Sequence, residues 1–185
     1  MAQTTVWWDM ENCGIPKRTK ALHLSKNINI ALEQMNYSGS IVSIYGYGDT
    51  KHVNQNDQQA LSNTGVRLIH IPGGTKDSSD KKMIVDMSLW ADNHEPPANM
   101  MIITGDGDFT DTLNNLKSRG YNVLLGLPEV YSSSFHLKFC SAMWKWTRLA
   151  EGRPPFVSND IILRNVRARG KLQWREKGES SKGRE

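Results

Sequence analysis

With 185 residues, the chain is long enough for one domain with a substantial hydrophobic core, and its hydrophobic content of 38% is ordinary for a folded globular protein. No stretch approaches the roughly 20 consecutive apolar residues that cross a bilayer, so the sequence predicts no membrane association. Residues 1–5 lack the basic and apolar regions of a signal peptide, and Cys13 and Cys140 have no metal-binding spacing. We therefore expect an intracellular, reducing compartment.

The positive charge of the chain is concentrated at its C-terminus. Residues 1–152 carry 14 Lys/Arg and 15 Asp/Glu, a net charge of −1, whereas residues 153–185 carry nine and four, a net charge of +5. This asymmetry is typical of a protein with a polyanionic partner. It predicts one domain over residues 1–150 and a basic, partly disordered extension over residues 151–185.

Short apolar runs alternate with helix-like segments through most of the chain. The predicted strands cover residues 5–8, 40–46, 66–71, 99–104 and 122–127. The predicted helices between them cover residues 19–35, 54–63, 79–93 and 109–118. This alternation is typical of a three-layer α/β/α sandwich with a mainly parallel sheet of five to six strands.

Several boundaries of these elements follow from residue type. Asp77 or Ser79 is predicted to cap the third helix, and Gly65 and Gly120 to end the second and fourth. Further along, a short helix near residues 132–139 and another over 143–149 are predicted to pack on one face of the sheet. Residues 158–166 are predicted to form one amphipathic turn or strand.

Four aspartates lie where they would meet at one edge of the predicted sheet. Asp9 closes the first strand, Asp106 follows the fourth strand, and Asp108 enters the fourth helix. Asp80 opens the third helix, just after the loop that leaves the third strand. Because sites in parallel sheets form outside the carboxyl ends of the strands where the strand order reverses, we expect all four carboxylates to point at one place.

Such a cluster of carboxylates indicates a metal site. Close carboxylates repel one another and therefore need protons or a cation. Hard oxygen ligands favour Mg²⁺ or Mn²⁺, and no set of histidines and cysteines is spaced to hold zinc. A metal ion held there would activate water for attack on a phosphodiester.

Three further polar residues are predicted to support these aspartates. Asn12 is placed to orient Asp9 or the attacking water, and Thr104 to hydrogen-bond a ligand or phosphate from the strand end. Asp86 lies about 240° around the helix from Asp80, by the 3.6-residue period. It is therefore predicted to support the loop after the first strand or to make a buried hydrogen bond, and not to bind metal directly.

Two other acidic motifs fit the sequence less well. A calcium loop starting at Asp106 would have Asp111 where glycine is needed and Lys117 where a bidentate glutamate is needed. A phosphatase of the haloacid dehalogenase type would share an acidic motif around Asp106. Its nucleophile strand should read Asp-x-Asp, however, and this chain has Glu11 two residues after Asp9.

Three motifs in order, WDMENC at residues 8–13, SDKKMIVD at 79–86 and ITGDGDF at 103–109, closely resemble the NYN domains of the PIN-like superfamily of metal-dependent ribonucleases. The similarity spans about residues 4–149. It implies an α/β sandwich that uses Mg²⁺ or Mn²⁺ to cleave single-stranded RNA, most simply as an endonuclease. The acidic and amide positions of that family's motifs correspond to Asp9, Asn12, Asp80, Asp86, Asp106 and Asp108.

Basic and aromatic residues near the predicted site are candidates for RNA contacts. The basic residues that would hold phosphates are Lys17, Arg18, Lys20, Lys81 and Lys82. The aromatic residues that could stack on unpaired bases are Trp7, Trp8, Tyr45 and Tyr47. A homodimer, separate RNA-binding modules in a longer protein, and a non-cleaving RNA-binding or adaptor module remain open alternatives.

Overall fold

A computed structural model describes residues 2–37, 41–74, 77–131 and 137–158 of the chain. Its strands are β1 Thr4–Asp9, β2 Ile41–Gly48, β3 Val66–His70, β4 Asn99–Ile103, β5 Asn122–Leu127, β6 Ala142–Lys145 and β7 Val157–Ser158. Its α-helices are α1 Ala21–Glu33, α2 Gln55–Asn63, α3 Ser78–Asn93, α4 Thr110–Ser118 and α5 Trp146–Ala150. Short 3₁₀ helices cover Thr50–His52, Gly107–Phe109 and Leu137–Phe139.

These strands form a single sheet in the order β3-β2-β1-β4-β5-β6-β7. Strands β1 to β6 run parallel, and only the two-residue β7 is antiparallel to its neighbour. The predicted mainly parallel α/β architecture is thus confirmed, with seven strands in place of five to six. Strand β1 lies inside the sheet and is buried along its whole length because helices cover both faces, and its sequence accordingly lacks polar alternation.

The helices complete three layers, and alternate residues of each strand face opposite helical layers. On one face, Trp8 of β1 packs in a core with buried residues of α1, α2 and α5. On the other face, its neighbour Trp7 packs in a second core with buried residues of α3 and α4. The two cores explain why successive apolar residues in β1 are all buried.

The strand order places a topological switch between β1 and β4. The chain proceeds from β1 to β2 and β3 on one side, then crosses to β4 on the other side of β1. Trp8 of β1 pairs with Ile103 of β4, so Asp9 and Thr104 follow at the same level of the sheet. Ligand sites in open α/β sheets lie at such a crevice. The topology therefore brings residues 9–12 and 104–108 to the same edge.

The sequence prediction for the region after β5 was wrong in its type of structure. Met143–Lys145, predicted as the start of a helix over residues 143–149, belongs to the parallel strand β6 beside β5, and only Trp146–Ala150 is helical. A short apolar run does not distinguish a buried strand from a helix, and pairing with β5 decided the outcome. In the predicted helix near residues 132–139, Leu137–Phe139 forms a 3₁₀ turn, while residues 132–136 lie outside the described residues.

The structure confirms the predicted C-terminal ends of two helices but not the predicted N-terminal caps of α3. Gly65 and Gly120 adopt φ of 85° and 93° just beyond α2 and α4, which confirms them as the glycines that end those helices. Asp77 occupies the N-cap position of α3 with φ of 58°, but its side chain makes no capping hydrogen bond. Ser79 also does not cap the helix, because its hydroxyl is buried without a partner among the described residues.

The segment after Ser158 lies outside the described residues, and this covers most of the predicted basic extension and of the predicted turn or strand over residues 158–166. The domain boundary at residue 150 therefore stays a prediction. Within the described ranges, no helix is both long enough and apolar enough to cross a membrane.

Candidate functional site

Asp9 is the fully buried carboxylate at the end of β1, and both of its oxygens accept hydrogen bonds. Its Oδ1 accepts from the backbone amides of Glu11 and Asn12, each at 3.1 Å. Its Oδ2 accepts from Nδ2 of Asn12 at 2.7 Å and from the hydroxyl of Thr104 at 2.8 Å. Hydrogen bonds of this kind offset the cost of burying a carboxylate, and they fix the orientation of its two oxygens.

Thr104 links Asp9 to the acidic turn that follows β4. Its buried hydroxyl donates to Asp9 and accepts from the backbone amide of Asp106 at 3.1 Å. Asp106 in turn accepts from the amide of Asp108 at 2.9 Å and so begins the 3₁₀ helix Gly107–Phe109. The hydroxyl of Thr104 therefore forms its hydrogen bonds within the protein, whereas the sequence predicted a contact with a ligand or phosphate.

Gly105 lets this turn approach the neighbouring chain after β5. A Cβ at this position would lie 2.6 Å from Cγ of Pro128, closer than real side-chain carbons approach. The glycine therefore permits the close packing that holds Asp106 against the sheet edge.

Asp80 lies in the first turn of α3 and is 8% exposed. Burial is the main reason that its pKa is raised to about 7, and the charges of Asp9 and Asp106 add to the effect. Its Oδ1 is buried and has no hydrogen-bond partner among the described residues. Asp80 is therefore an incompletely solvated carboxylate that faces two other acids.

The four predicted aspartates do not contribute equally to the cluster of negative charge around Asp80. The further charges that raise the pKa of Asp80 come from Glu11 and Asp77, and Asp108 is not among them. Asp108 is exposed and joins the network through its backbone amide. Glu11 and Asp77 were missed by the sequence analysis, although each lies within three residues of a predicted acid, which is the signal that could have indicated them.

The acidic edge offers carboxylate oxygens as donors to a metal ion. Within residues 2–37, 41–74, 77–131 and 137–158, no three His, Cys, Asp or Glu side chains form a ready-made metal-binding group. The unpartnered oxygen of Asp80, beside Asp9 and Asp106, nevertheless fits a hard cation, because these carboxylates repel one another without a counter-charge. Only oxygen donors meet here, so the chemistry of the set suits Mg²⁺ or Mn²⁺ and not zinc.

Asp86 makes a hydrogen bond that ties α3 to β2. The hydroxyl of Tyr47 donates to its Oδ2 at 2.9 Å, and Lys82 forms an ion pair with its Oδ1. Tyr47 pairs with Asp9 in the sheet, so Asp86 supports the strand beside the acidic edge. Burial and, secondly, the bond to Asp86 raise the pKa of the Tyr47 hydroxyl, which keeps it a donor.

The predicted RNA-binding bases separate into two groups. Lys17, Arg18 and Lys20 lie in the connection between β1 and α1, where Arg18 and Lys20 line a recess of about 320 Å³. Lys81 and Lys82 lie in the first turns of α3 next to Asp80. Lys82 is engaged by Asp86, so Lys81 is the residue of this pair that is available to an incoming phosphate.

The aromatic residues near the site mostly stack within the protein. Trp7 stacks on Tyr45 with ring centroids 4.8 Å apart and on Tyr47 at 6.2 Å. Trp8 packs against Trp146 at 5.2 Å. Trp7, Trp8 and Tyr47 are buried, so only the half-buried Tyr45 offers surface to a base.

Comparison with known proteins agrees with this architecture. The chain is 26% identical over 121 residues to "Meiosis regulator and mRNA stability factor 1" of Xenopus tropicalis, with the same values for the proteins of that name from Gallus gallus and Mus musculus. These alignments cover 65% of this chain and 7% of each relative, so the chain spans only a small part of their length. Residues 3–143 match the sequence profile described as "NYN domain". The chain belongs to the NYN domain family, whose members have a PIN-like α/β fold.

Proposed function

We propose that this protein is a metal-dependent endoribonuclease that hydrolyses phosphodiester bonds in single-stranded RNA at the carboxyl edge of its sheet. The observation that carries the proposal is the environment of Asp80. This carboxylate is buried, has an oxygen without a hydrogen-bond partner among the described residues, and is repelled by Asp9 and Asp106. A divalent cation would relieve this repulsion and complete the coordination of the free oxygen.

The acidic residues would hold Mg²⁺ or Mn²⁺, with Asp9, Asp80 and Asp106 as the principal ligands and Asp108 acting directly or through water. When bound, the metal ion supplies an activated water and a positive charge that stabilises the phosphodiester in the transition state. The mutual repulsion of Asp9, Asp80 and Asp106 is the support for assigning them to one ion.

The remaining residues of the site would position these groups and the RNA. Asn12 and Thr104 fix the carboxylate of Asp9 through the bonds to its Oδ2. Lys81 lies next to Asp80 and can contact a phosphate, while Lys17 and Arg18 flank the same edge of the sheet. The name of the relatives, which refers to mRNA stability, supports RNA as the substrate class.

Cleavage of an end-labelled single-stranded RNA tests this function. The wild-type protein is expected to cut internally with Mn²⁺ or Mg²⁺ and to stop on addition of EDTA. Asp9→Asn and Asp106→Asn are expected to lose cleavage. Asp92→Asn is a matched control, because Asp92 lies at the opposite end of α3 from Asp80 and pairs on the surface with Arg119. EDTA-resistant cleavage, or full activity in both site variants, would overturn the proposal.

A non-cleaving RNA-binding or adaptor module is the second candidate. The observation in its favour is that the described residues contain no ready-made group of three metal ligands, and that both oxygens of Asp9 are hydrogen-bonded within the protein. RNA binding without turnover at any Mn²⁺ or Mg²⁺ concentration would favour this alternative. A phosphatase of the haloacid dehalogenase type would instead form an acyl-phosphate on Asp9, which mass spectrometry would detect.

A further inference from the structure

A cleft of about 420 Å³ opens beside Asp9, between the connection from β1 to α1 and the connection from β2 to α2. This volume is within the range of about 300–1,000 Å³ that is typical of small-molecule pockets. None of the residues assigned to metal or phosphate binding lines it. The cleft thus adjoins the acidic site at the same sheet edge, and Glu11, whose charge acts on Asp80, forms part of its wall.

The two connections that form the cleft are fixed to each other and to the acidic site. The amide of Met10 donates to the carbonyl of Tyr47 at 2.9 Å, and the amide of Glu11 donates to Asp9 at 3.1 Å. Gly48 has φ of 149°, and a Cβ there would lie 3.1 Å from Cγ of Glu11. The cleft therefore begins one residue after Asp9 and has a defined shape.

The walls of the cleft combine apolar surface with hydrogen-bond acceptors. Met10, Ile15 and Val53 supply the apolar surface, and the two loops add three carboxylates and one imidazole, from Glu11, Asp49, Asp57 and His52. Such a mixture suits a flat, partly apolar ring that presents donors at its edge.

The carboxylates of the cleft differ in how far they are already engaged. Asp49 accepts hydrogen bonds from the backbone amides of Lys51 and Gly73. These bonds, chiefly that from Lys51, hold the pKa of Asp49 below its usual value, so Asp49 stays ionised. Asp57 accepts from Nδ2 of Asn54 at 2.5 Å through one oxygen only. The carboxylate of Glu11 accepts no hydrogen bond from any residue that the structure describes. Glu11 and Asp57 therefore retain oxygens that can accept from a ligand.

We propose that this cleft binds one nucleobase of the RNA next to the scissile phosphate and favours guanine. The proposal rests on the ribonuclease function proposed above. Three carboxylates line the cleft beside a single imidazole, His52, so the lining disfavours a phosphate and favours a group that presents donors. Guanine offers N1–H and N2–H side by side and can give both to one carboxylate, whereas the other three bases place an acceptor next to their donor. The expected preference for guanine is about tenfold or more, as for other paired base contacts.

Binding is tested first without divalent metal, so that the result does not depend on cleavage. Amide NMR spectra of the full chain are recorded with guanosine, adenosine, cytidine and uridine 5′-monophosphates. Guanosine monophosphate is expected to shift the amides of Gly48, Asp49 and Val53 at concentrations about tenfold lower than uridine monophosphate. Equal responses to all four nucleotides, or shifts confined to other regions, would overturn the proposal even if the protein cleaves RNA.

Two substitutions locate the effect in the cleft. Val53→Trp fills the cleft, and Val85→Trp makes the same change on the exposed side of α3 as a control. Asp57→Asn replaces one carboxylate oxygen by an amide donor and keeps the hydrogen bond that the backbone amide of residue 57 donates to Oδ1 of Asn54. Val53→Trp and Asp57→Asn are expected to abolish the preference for guanosine monophosphate, and Val85→Trp to keep it. Thermal unfolding shows whether Val53→Trp is folded. If this variant is unfolded, Asp57→Asn alone decides whether the cleft selects guanine.

Cleavage then connects the cleft to the substrate. Oligouridines that carry a single G, A or C at one position are compared under Mn²⁺. The wild-type protein is expected to cut about tenfold faster beside G, and Asp57→Asn to cut all three at similar rates. If Asp57→Asn cuts RNA but keeps the wild-type preference for G, the cleft does not select the base and the proposal is wrong.

Discussion

The hydroxyl of Thr104 donates a 2.8 Å hydrogen bond to Oδ2 of Asp9 and joins two residues that are 95 positions apart in the sequence. Both side chains are buried, and the same hydroxyl accepts from the amide of Asp106. The bond therefore couples the ends of β1 and β4, the two strands at the topological switch, and aligns both acidic segments with each other.

Thr104→Val is expected to destabilise the protein by about 1–3 kcal/mol, because it leaves the amide of Asp106 and one bond to Asp9 unsatisfied in a buried place. Urea unfolding measures the loss. Under the proposed function, RNA cleavage by this variant also falls. Thr104→Ser keeps the hydroxyl and is expected to retain most of the cleavage rate. Equal cleavage by the valine and serine variants would show that the hydroxyl does not position Asp9.

Asp80 is expected to make the stability of the metal-free protein depend on pH. Its pKa of about 7 in the folded state exceeds its usual value of 3.8, so the folded state binds the proton more tightly. Stability contributed by the protonated form is complete below about pH 4 and is lost as the pH rises to about 7. Asp80→Asn removes this dependence and is expected to raise the free energy of unfolding above pH 7 by on the order of 3 kcal/mol.

Urea unfolding in EDTA between pH 4 and 8 measures this effect. The advantage of Asp80→Asn over the wild type is expected to grow with pH and to be small at pH 4. Asp92→Asn, which changes an exposed carboxylate on the same helix, is expected to show no such trend. An advantage that is constant with pH would show that the carboxyl of Asp80 titrates at its usual value.

Addition of Mn²⁺ or Mg²⁺ is expected to raise the melting temperature of the wild-type protein, because a cation that binds only the folded state stabilises it by mass action. At a metal concentration of 100 times the dissociation constant the gain is about 2.7 kcal/mol. Asp9→Asn and Asp106→Asn are expected to lose most of this gain, and Asp92→Asn to keep it. An equal gain in all four proteins, measured by differential scanning calorimetry, would place the ion elsewhere.

Gly105→Ala is expected to destabilise the protein by about 1–3 kcal/mol, because the added methyl group would lie 2.6 Å from Cγ of Pro128 and force the turn to move. Gly14→Ala is the matched control, since the nearest atom to a Cβ at that position, the carbonyl oxygen of Met10, is 3.9 Å away. Thermal unfolding compares the two variants. Similar melting temperatures would mean that the chain near Pro128 adjusts without cost.

The order of strands and helices was predictable as far as β5 because each element carries a strong local pattern. The buried run of β1 and the glycines after α2 and α4 are read directly from residue type. The strand β6 was not predictable, because a run of four residues from Ala142 fits a helix as well as a strand until β5 is placed beside it. Position in the sheet, and not propensity, decided this element.

The sequence by itself determined that Asp9 and Asp106 reach the same edge of the sheet, because Asp9 ends a strand and Asp106 closely follows one in a parallel architecture. Only the tertiary structure decided how they are used. Thr104 donates a hydrogen bond to Asp9, and Lys82 forms an ion pair with Asp86. Asp80 has a buried oxygen without a hydrogen-bond partner among the described residues. Burial, hydrogen bonding and charge repulsion depend on distances between residues far apart in the chain, and residue order does not contain those distances.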